Sequence, residues 1–136
     1  MTVKTCNLEF CVTVKENDTV LGISKLLREK KLRYVFVVDK KGYPVGIISV
    51  TDVNNRCVAE GKDPKKCIAK EIMTHPIDVV DDCDDIEKAY HIMLEREVFA
   101  VPVVNDGKLI GLINFNEAVQ KVAKKTEGKL NGTTRR

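Results

Sequence analysis

The sequence predicts an α+β fold, α/β-like in its local order. A β-α-β-β-α unit occurs twice, and the two copies are expected to pack as one pseudo-twofold module. Three observations carry this. The chain repeats itself at an offset of 66 residues. Strand-like and helix-like stretches follow the same order in both halves. Each half, about 60 residues with three short strands, buries too little surface to be secure alone.

The repeat is read from pattern types more than identities. Val14, Asp18 and Glu29 align with Val80, Asp84 and Glu95. Val35, Val37 and Val38 align with Val101, Val103 and Val104. A one-residue deletion then changes the offset to 65, and Gly42 and Gly46 align with Gly107 and Gly111.

In the first copy, residues 10–14 are short, apolar and β-prone. Val20, Ile23, Leu26 and Leu27 recur at helical spacing behind the capping side chains of Asn17, Asp18 and Thr19. Residues 34–38 form a continuous β-branched and aromatic run, as in a buried strand. Asp39-Lys40-Lys41-Gly42 is a turn, residues 45–50 are a strand, and Thr51 or Asp52 opens a helix to about Glu60.

The second copy repeats this. Residues 77–80 are a strand, and Asp84-Asp85 opens a helix with Ile86, Ala89, Ile92 and Met93 on one face. Residues 100–104 and 109–113 are strands joined by Asn105-Asp106-Gly107, and Asn114 or Asn116 caps a last helix. The predicted boundaries are a first copy at 3–61, a linker at 62–72, a second copy at 73–125 and a flexible basic tail at 126–136.

The net charge of +3 hides an uneven distribution. Residues 1–66 sum to +5, residues 67–120 to −7 and residues 121–136 to +5. No apolar run approaches the roughly 18–20 residues of a membrane span, and the N-terminus lacks the apolar core of a secretory signal. Five cysteines at irregular spacing (Cys6, Cys11, Cys57, Cys67, Cys83) do not form a disulfide framework. Buried reduced thiols and a cytoplasmic location are therefore expected.

Taken together, the two copies resemble tandem cystathionine-β-synthase (CBS) domains, a stand-alone Bateman module. The resemblance rests on Glu71-Ile72-Met73-Thr74 at the entry to the second copy, on residues 101–107 (VPVVNDG), and on residues 46–53 (GIISVTDV). It covers about residues 3–123. It implies adenosine-containing ligands (AMP, ADP, ATP or S-adenosylmethionine) held in two clefts, each built from both copies.

In the first cleft the resemblance implies Ser49, Thr51 and Asp52 at the ribose and phosphate. The residues themselves support this. An aspartate at a strand-to-helix junction can accept from two vicinal hydroxyls, and a helix N-terminus favours an anion. The alternative role for Asp52 is a helix cap. Met73, Thr74, Ile77, Val98, Phe99 and Ala100 are expected to enclose the base, contributed by the second copy.

In the second cleft Asn114 and Glu117 stand where Ser/Thr and Asp belong in the family. Cys6, Cys11, Leu32, Arg33 and Tyr34 form its other wall, with Arg33 as phosphate ligand or as a solvated charge. This cleft is expected to be the weaker. The acidic second copy favours a mononucleotide, or a cationic sulfonium, over a triphosphate in the first cleft.

No catalytic set or catalytic metal site is present in the sequence, and the chain is expected not to be an enzyme. A sensor is expected, passing occupancy to an unidentified regulated protein or through a homodimer. The opposed charges favour head-to-tail pairing. Two other classes stay open. Lys121, Lys124, Lys125, Lys129, Arg135 and Arg136 offer a nucleic-acid surface, and an assembly subunit without ligand is the other.

Overall fold

Two three-stranded sheets form, and the same local rules build both. The computed structural model describes residues 1–134, with side chains through Glu127. The first sheet orders β1 (Thr13–Lys15), β2 (Tyr34–Val38) and β3 (Pro44–Ser49), with β1 parallel and β3 antiparallel to β2. The second repeats this with β4 (Val80–Asp81), β5 (Ala100–Asn105) and β6 (Lys108–Asn114). Each antiparallel pair slips register at the same repeat position, Val37/Val38 and Val103/Val104.

The parallel pairs need crossovers, and helices supply them. Helix α1 (Val20–Glu29) starts where Thr19 Oγ1 accepts from Gly22 N at 3.1 Å. It buries Val20, Ile23 and Leu27. Helix α2 (Val50–Val53) runs on as a π-helical turn, Asn54–Val58, and a short helix α3 spans Ala69–Ile72. Helix α4 (Ile86–Arg96) is capped by Asp85, whose carboxylate accepts from Glu87 N, and it buries Ile86, Ala89 and Met93. Helix α5 spans Phe115–Thr134. Asp106 and Gly107 both have positive φ, which matches the twist of the β5–β6 hairpin.

The chain divides into two compact units. One is Cys11–Ile77; the other joins Met1–Phe10 to the residues from Asp78 onward. Short straps are thus exchanged relative to the sequence repeat. Residues 68–77, divided between the expected linker and the start of the second copy, pack on the first sheet. Thr19 bridges Ile68, Ala69 N donates to Asp18 O at 2.8 Å, and Ile47 pairs with Thr74. Residues 1–10, counted from residue 3 with the first copy, pack on the second sheet. Thr2 bridges Asp85, Val3 N donates to Asp84 O at 2.9 Å, and Glu9 pairs with Leu112. A turn of 3₁₀ helix, Val3–Thr5, buries Val3 as α3 buries Ala69.

This exchange corrects several expected boundaries. The first strand begins at Thr13, not residue 10, because Glu9 is paired in the other unit and Phe10 is 90% exposed. The strand expected at 77–80 is Val80–Asp81, and Ile77 belongs to the strap. The segment 62–72 is not a bare linker, since it contains α3. Helix α2 begins at Val50 with Ser49 as its cap, so it starts before Thr51 or Asp52. The flexible tail expected from 126 is helical through Thr134. Lys129, Arg135 and Arg136 have side chains outside the described residues.

The straps are seated by glycine. A Cβ on Gly111 would lie 2.9 Å from Glu9 O and 3.0 Å from Leu8 Cβ. Gly111→Ala is therefore expected to cost about 1–3 kcal/mol in chemical denaturation. Hydrogen exchange over residues 1–10 is expected to accelerate. A second prediction concerns acid. Asp84 Oδ2 accepts from Asp81 N at 2.9 Å and from Lys88 Nζ at 3.0 Å, which together hold its carboxyl below the ordinary range. A depressed folded pKa contributes stability above the unfolded value of about 4 and loses it as pH falls through the folded value. Asp84→Asn is expected to lower stability near neutrality. Its denaturation curve should converge on that of the wild type in acid.

Candidate functional site

The end of β3 delivers Ser49, and α2 starts on it. Ser49 Oγ accepts from Asp52 N at 3.1 Å, and Asp52 Oδ2 accepts from Ser49 N at 2.9 Å. This reciprocal capping box satisfies two backbone donors. Ser49 Oγ also lies 3.1 Å from Asp52 Oδ2. The other oxygen, Oδ1, has looser neighbours: Thr74 Oγ1 at 3.5 Å and Arg56 Nε at 3.8 Å. Hydrogen bonds of full strength are shorter than this. The two roles weighed for Asp52 are therefore compatible. Oδ2 builds the helix, and Oδ1 retains acceptor capacity.

Arg56 lies one helical turn beyond Asp52 and clamps the strap. Its Nη1 donates to Ile72 O and Met73 O, both at 3.1 Å. Met73 is buried over Gly46, where a Cβ would meet its Sδ at 2.5 Å. The strap and sheet exchange Ile47 N to Thr74 O at 3.1 Å and Thr74 N to Ile47 O at 2.9 Å. Sequence reasoning missed Arg56. The signal was its i+4 spacing from Asp52.

The expected site residues divide as follows. Ser49, Asp52, Met73 and Thr74 come together in one unit, with Thr51 exposed beside them. Met73, Thr74 and Ile77 were assigned to the second copy. They belong instead to Asp52's own unit, because the strap that carries them pairs with β3. Val98, Phe99 and Ala100 do lie in the other unit, Val98 and Phe99 exposed and Ala100 opening β5. Phe99 meets Phe115 edge-on at 6.2 Å.

The counterpart in that unit is wired differently. Asn114 Oδ1 accepts from Glu117 N at 2.8 Å, so Asn114 caps α5. Glu117 is one methylene longer than aspartate and reaches past Asn114. Its Oε2 accepts from Asn7 N at 2.7 Å, with Lys121 Nζ at 3.9 Å. Asn114 Nδ2 donates to Glu9 Oε1 at 2.6 Å. The Glu117–Lys121 pair repeats Asp52–Arg56 at an offset of 65. Cys6 was assigned with Cys11, Leu32, Arg33 and Tyr34 to the first copy's wall. It shares the unit of Asn114 and Glu117, while the other four stay with the first sheet. Arg33 is exposed, and its carbonyl accepts from Val50 N at 3.1 Å.

The thiols are only partly as expected. Cys57 and Cys67 are buried, Cys6 and Cys11 half-buried, and Cys83 exposed. Cys67 is pushed up to about 11, by burial first and then by its bond to Glu71. The basic helix is also less open than the sequence implied. Lys125 pairs with Asp85 at 3.3 Å and Glu87 at 2.9 Å, and Lys121 pairs with Glu117. Of the three described lysines, Lys124 alone is exposed and outside an ion pair.

Comparison with known proteins agrees with this architecture. A family model described as CBS domain matches residues 8–58 and 69–124. An uncharacterized protein of Methanopyrus kandleri is 31% identical over 110 residues, covering 80% of this chain and 56% of that protein. The chain thus spans little more than half of that relative's length. The crystal structure of CBSX2 in complex with AMP is similar at 27% identity and a TM-score of 0.70, over 92% of this chain and 98% of that one. The cytosolic domain of the Mg2+ channel MgtE in complex with ATP is similar at 27% identity and a TM-score of 0.68, over 81% of this chain and 44% of that one. Among the described residues, no helix is long and apolar enough to cross a membrane.

Proposed function

The chain belongs to the CBS-domain family, and on that premise we propose that it is a regulatory module that binds an adenosine-containing ligand. The observation that carries the reading is the division of labour at Asp52. One oxygen caps α2, and the other faces Thr74 at a distance that leaves it able to accept from a ribose hydroxyl. The similar modules solved with AMP and with ATP support an adenine nucleotide as the ligand class. Ser49 and Thr74 would position the sugar, and Thr51 and Arg56 the phosphate side. The site at Glu117 would be the weaker, because Oε2 and both ends of the Asn114 amide are already engaged. S-adenosylmethionine belongs to the same reading as a ligand of low negative charge. The module would act without catalysis, in the cytoplasm, by reporting occupancy to a regulated protein.

Calorimetric titration with AMP, ATP and S-adenosylmethionine tests this. Wild-type protein is expected to bind AMP or S-adenosylmethionine more tightly than ATP, and Asp52→Ala is expected to abolish the heat. Wild-type affinity in a folded Asp52→Ala protein would overturn the assignment.

A homodimer is part of the same proposal. Exposed apolar side chains on the helices support an association surface: Val50 and Val58 in one unit, Leu94 and Val119 in the other. The charges of +5 over residues 1–66 and −7 over residues 67–120 favour head-to-tail pairing. Cross-linking with mass spectrometry is expected to join the Cys11–Ile77 unit of one copy to the residues from Asp78 onward of its partner. Links confined to equivalent units would sink that orientation.

A further inference from the structure

We propose a second ligand site in the Cys11–Ile77 unit, at the opposite end of its sheet from Asp52, built to hold a small phosphate-class anion. A cavity of about 670 Å³ opens there, lined by the end of β1, the β1–α1 loop, the β2–β3 turn and α3. Its volume falls in the range of small-molecule pockets, roughly 300–1,000 Å³. It lies at the carboxyl ends of the two parallel strands β1 and β2, the side of a parallel sheet where crossovers leave a crevice. The Ser49–Asp52 site lies at the other end, where Ser49 is in register with Tyr34 at the start of β2.

Three lysines line the cavity from three separate elements: Lys15 from β1, Lys40 from the hairpin turn and Lys70 from α3. All three are exposed, and none forms an ion pair among the described residues. Three carboxylates share the lining, but two of them are tied to the backbone. Asp18 Oδ2 accepts from Lys15 N at 2.9 Å, and Asp39 Oδ1 accepts from Lys41 N at 2.9 Å and Tyr43 N at 3.0 Å. These bonds make the turns. Glu16, half-buried, is the third. More positive charge stands alongside. Lys62, Lys65 and Lys66 ride on the loop that closes this end through Val20 N to Cys67 O and Leu21 N to Pro64 O.

The other unit supplies an internal comparison. Its scaffold is the same: Asp84 Oδ2 accepts from Asp81 N at 2.9 Å, as Asp18 does from Lys15. Yet Asp81 stands in the place of Lys15 and Asp106 in the place of Lys40. The fold therefore builds this end of the sheet with either sign of charge. Lysine at 15 and 40 is not required by the turn, and three cations converging on one cavity match the chemistry of a compact, multiply charged anion.

The test is titration of the full chain with inorganic pyrophosphate, followed by amide chemical shifts and calorimetry. Saturable shifts are expected at residues 15–18, 38–42 and 70. They should persist in Asp52→Ala, which separates this site from the adenosine-ligand reading. Replacing Lys15, Lys40 and Lys70 singly with Gln is expected to weaken binding by about tenfold each. Lys124→Gln should leave it unchanged. The proposal fails if shifts never saturate or scatter over all lysines. It fails equally if they centre on residues 49–52 and vanish in Asp52→Ala. Wild-type affinity in the triple Lys15→Gln, Lys40→Gln, Lys70→Gln variant would also defeat it.

Discussion

The backbone pairing of Ile47 with Thr74 is the constraint on which the candidate site depends. Two bonds, 2.9 and 3.1 Å, tie the strap to the outer strand of the first sheet. That pairing seats Met73 against Gly46, turns the carbonyls of Ile72 and Met73 toward Arg56, and brings Thr74 beside Asp52. Without the strap, Asp52 would be an ordinary helix-cap partner at the junction of β3 and α2. With it, one carboxylate oxygen serves the fold while the other faces a hydroxyl and a guanidinium. Local folding thus draws on one oxygen of the side chain and leaves acceptor capacity on the other.

The second unit follows the same plan with one methylene added. Glu9 pairs with Leu112 as Thr74 pairs with Ile47, and Leu8 crowds Gly111 as Met73 crowds Gly46. Glutamate at 117 cannot close back on its own cap with aspartate's geometry. It crosses instead to the amide of Asn7 in the strap. The added length converts a helix-side acceptor into a strap fastener. Asn114 completes the change by donating to Glu9. The site that departs from the repeat has thereby become more tightly bound to its own scaffold.

Much of this was legible in the sequence. Helical spacing located α1 and α4, and the β-branched runs located β2 and β5, because burial of those elements is written in local periodicity. Ser49, Asp52, Asn114 and Glu117 were singled out through the family resemblance and their place at strand-to-helix junctions, although the cap at the first junction is Ser49 and not Thr51 or Asp52. The ownership of the straps was not. Residues 10–14 read as one strand, yet Phe10 belongs to one unit and Thr13 pairs in the other. Nothing in a run of alternating residues states which sheet will accept it, since strand pairing is settled by long-range contacts. Met73, Thr74 and Cys6 were therefore assigned to the wrong copy, although each was grouped with the residues whose unit it shares. Arg56 was overlooked because its role lies in carbonyls of the strap, 16 and 17 residues away.

The charge asymmetry follows from which positions the repeat constrains. Asp18 and Asp84 are held in common, since each accepts a backbone amide that makes the turn after its parallel strand. Positions 15 and 81 both contribute that amide, and Asp81 Oδ1 accepts in addition from Cys83 N at 2.9 Å, a bond that Lys15 cannot make. Lys40 and Asp106 occupy the hairpin turns that follow β2 and β5. Backbone bonds therefore fix an identical frame twice, and the side chains projecting from it were free to diverge to opposite signs. The net charge of +3 is the small remainder of that divergence, and it describes neither unit.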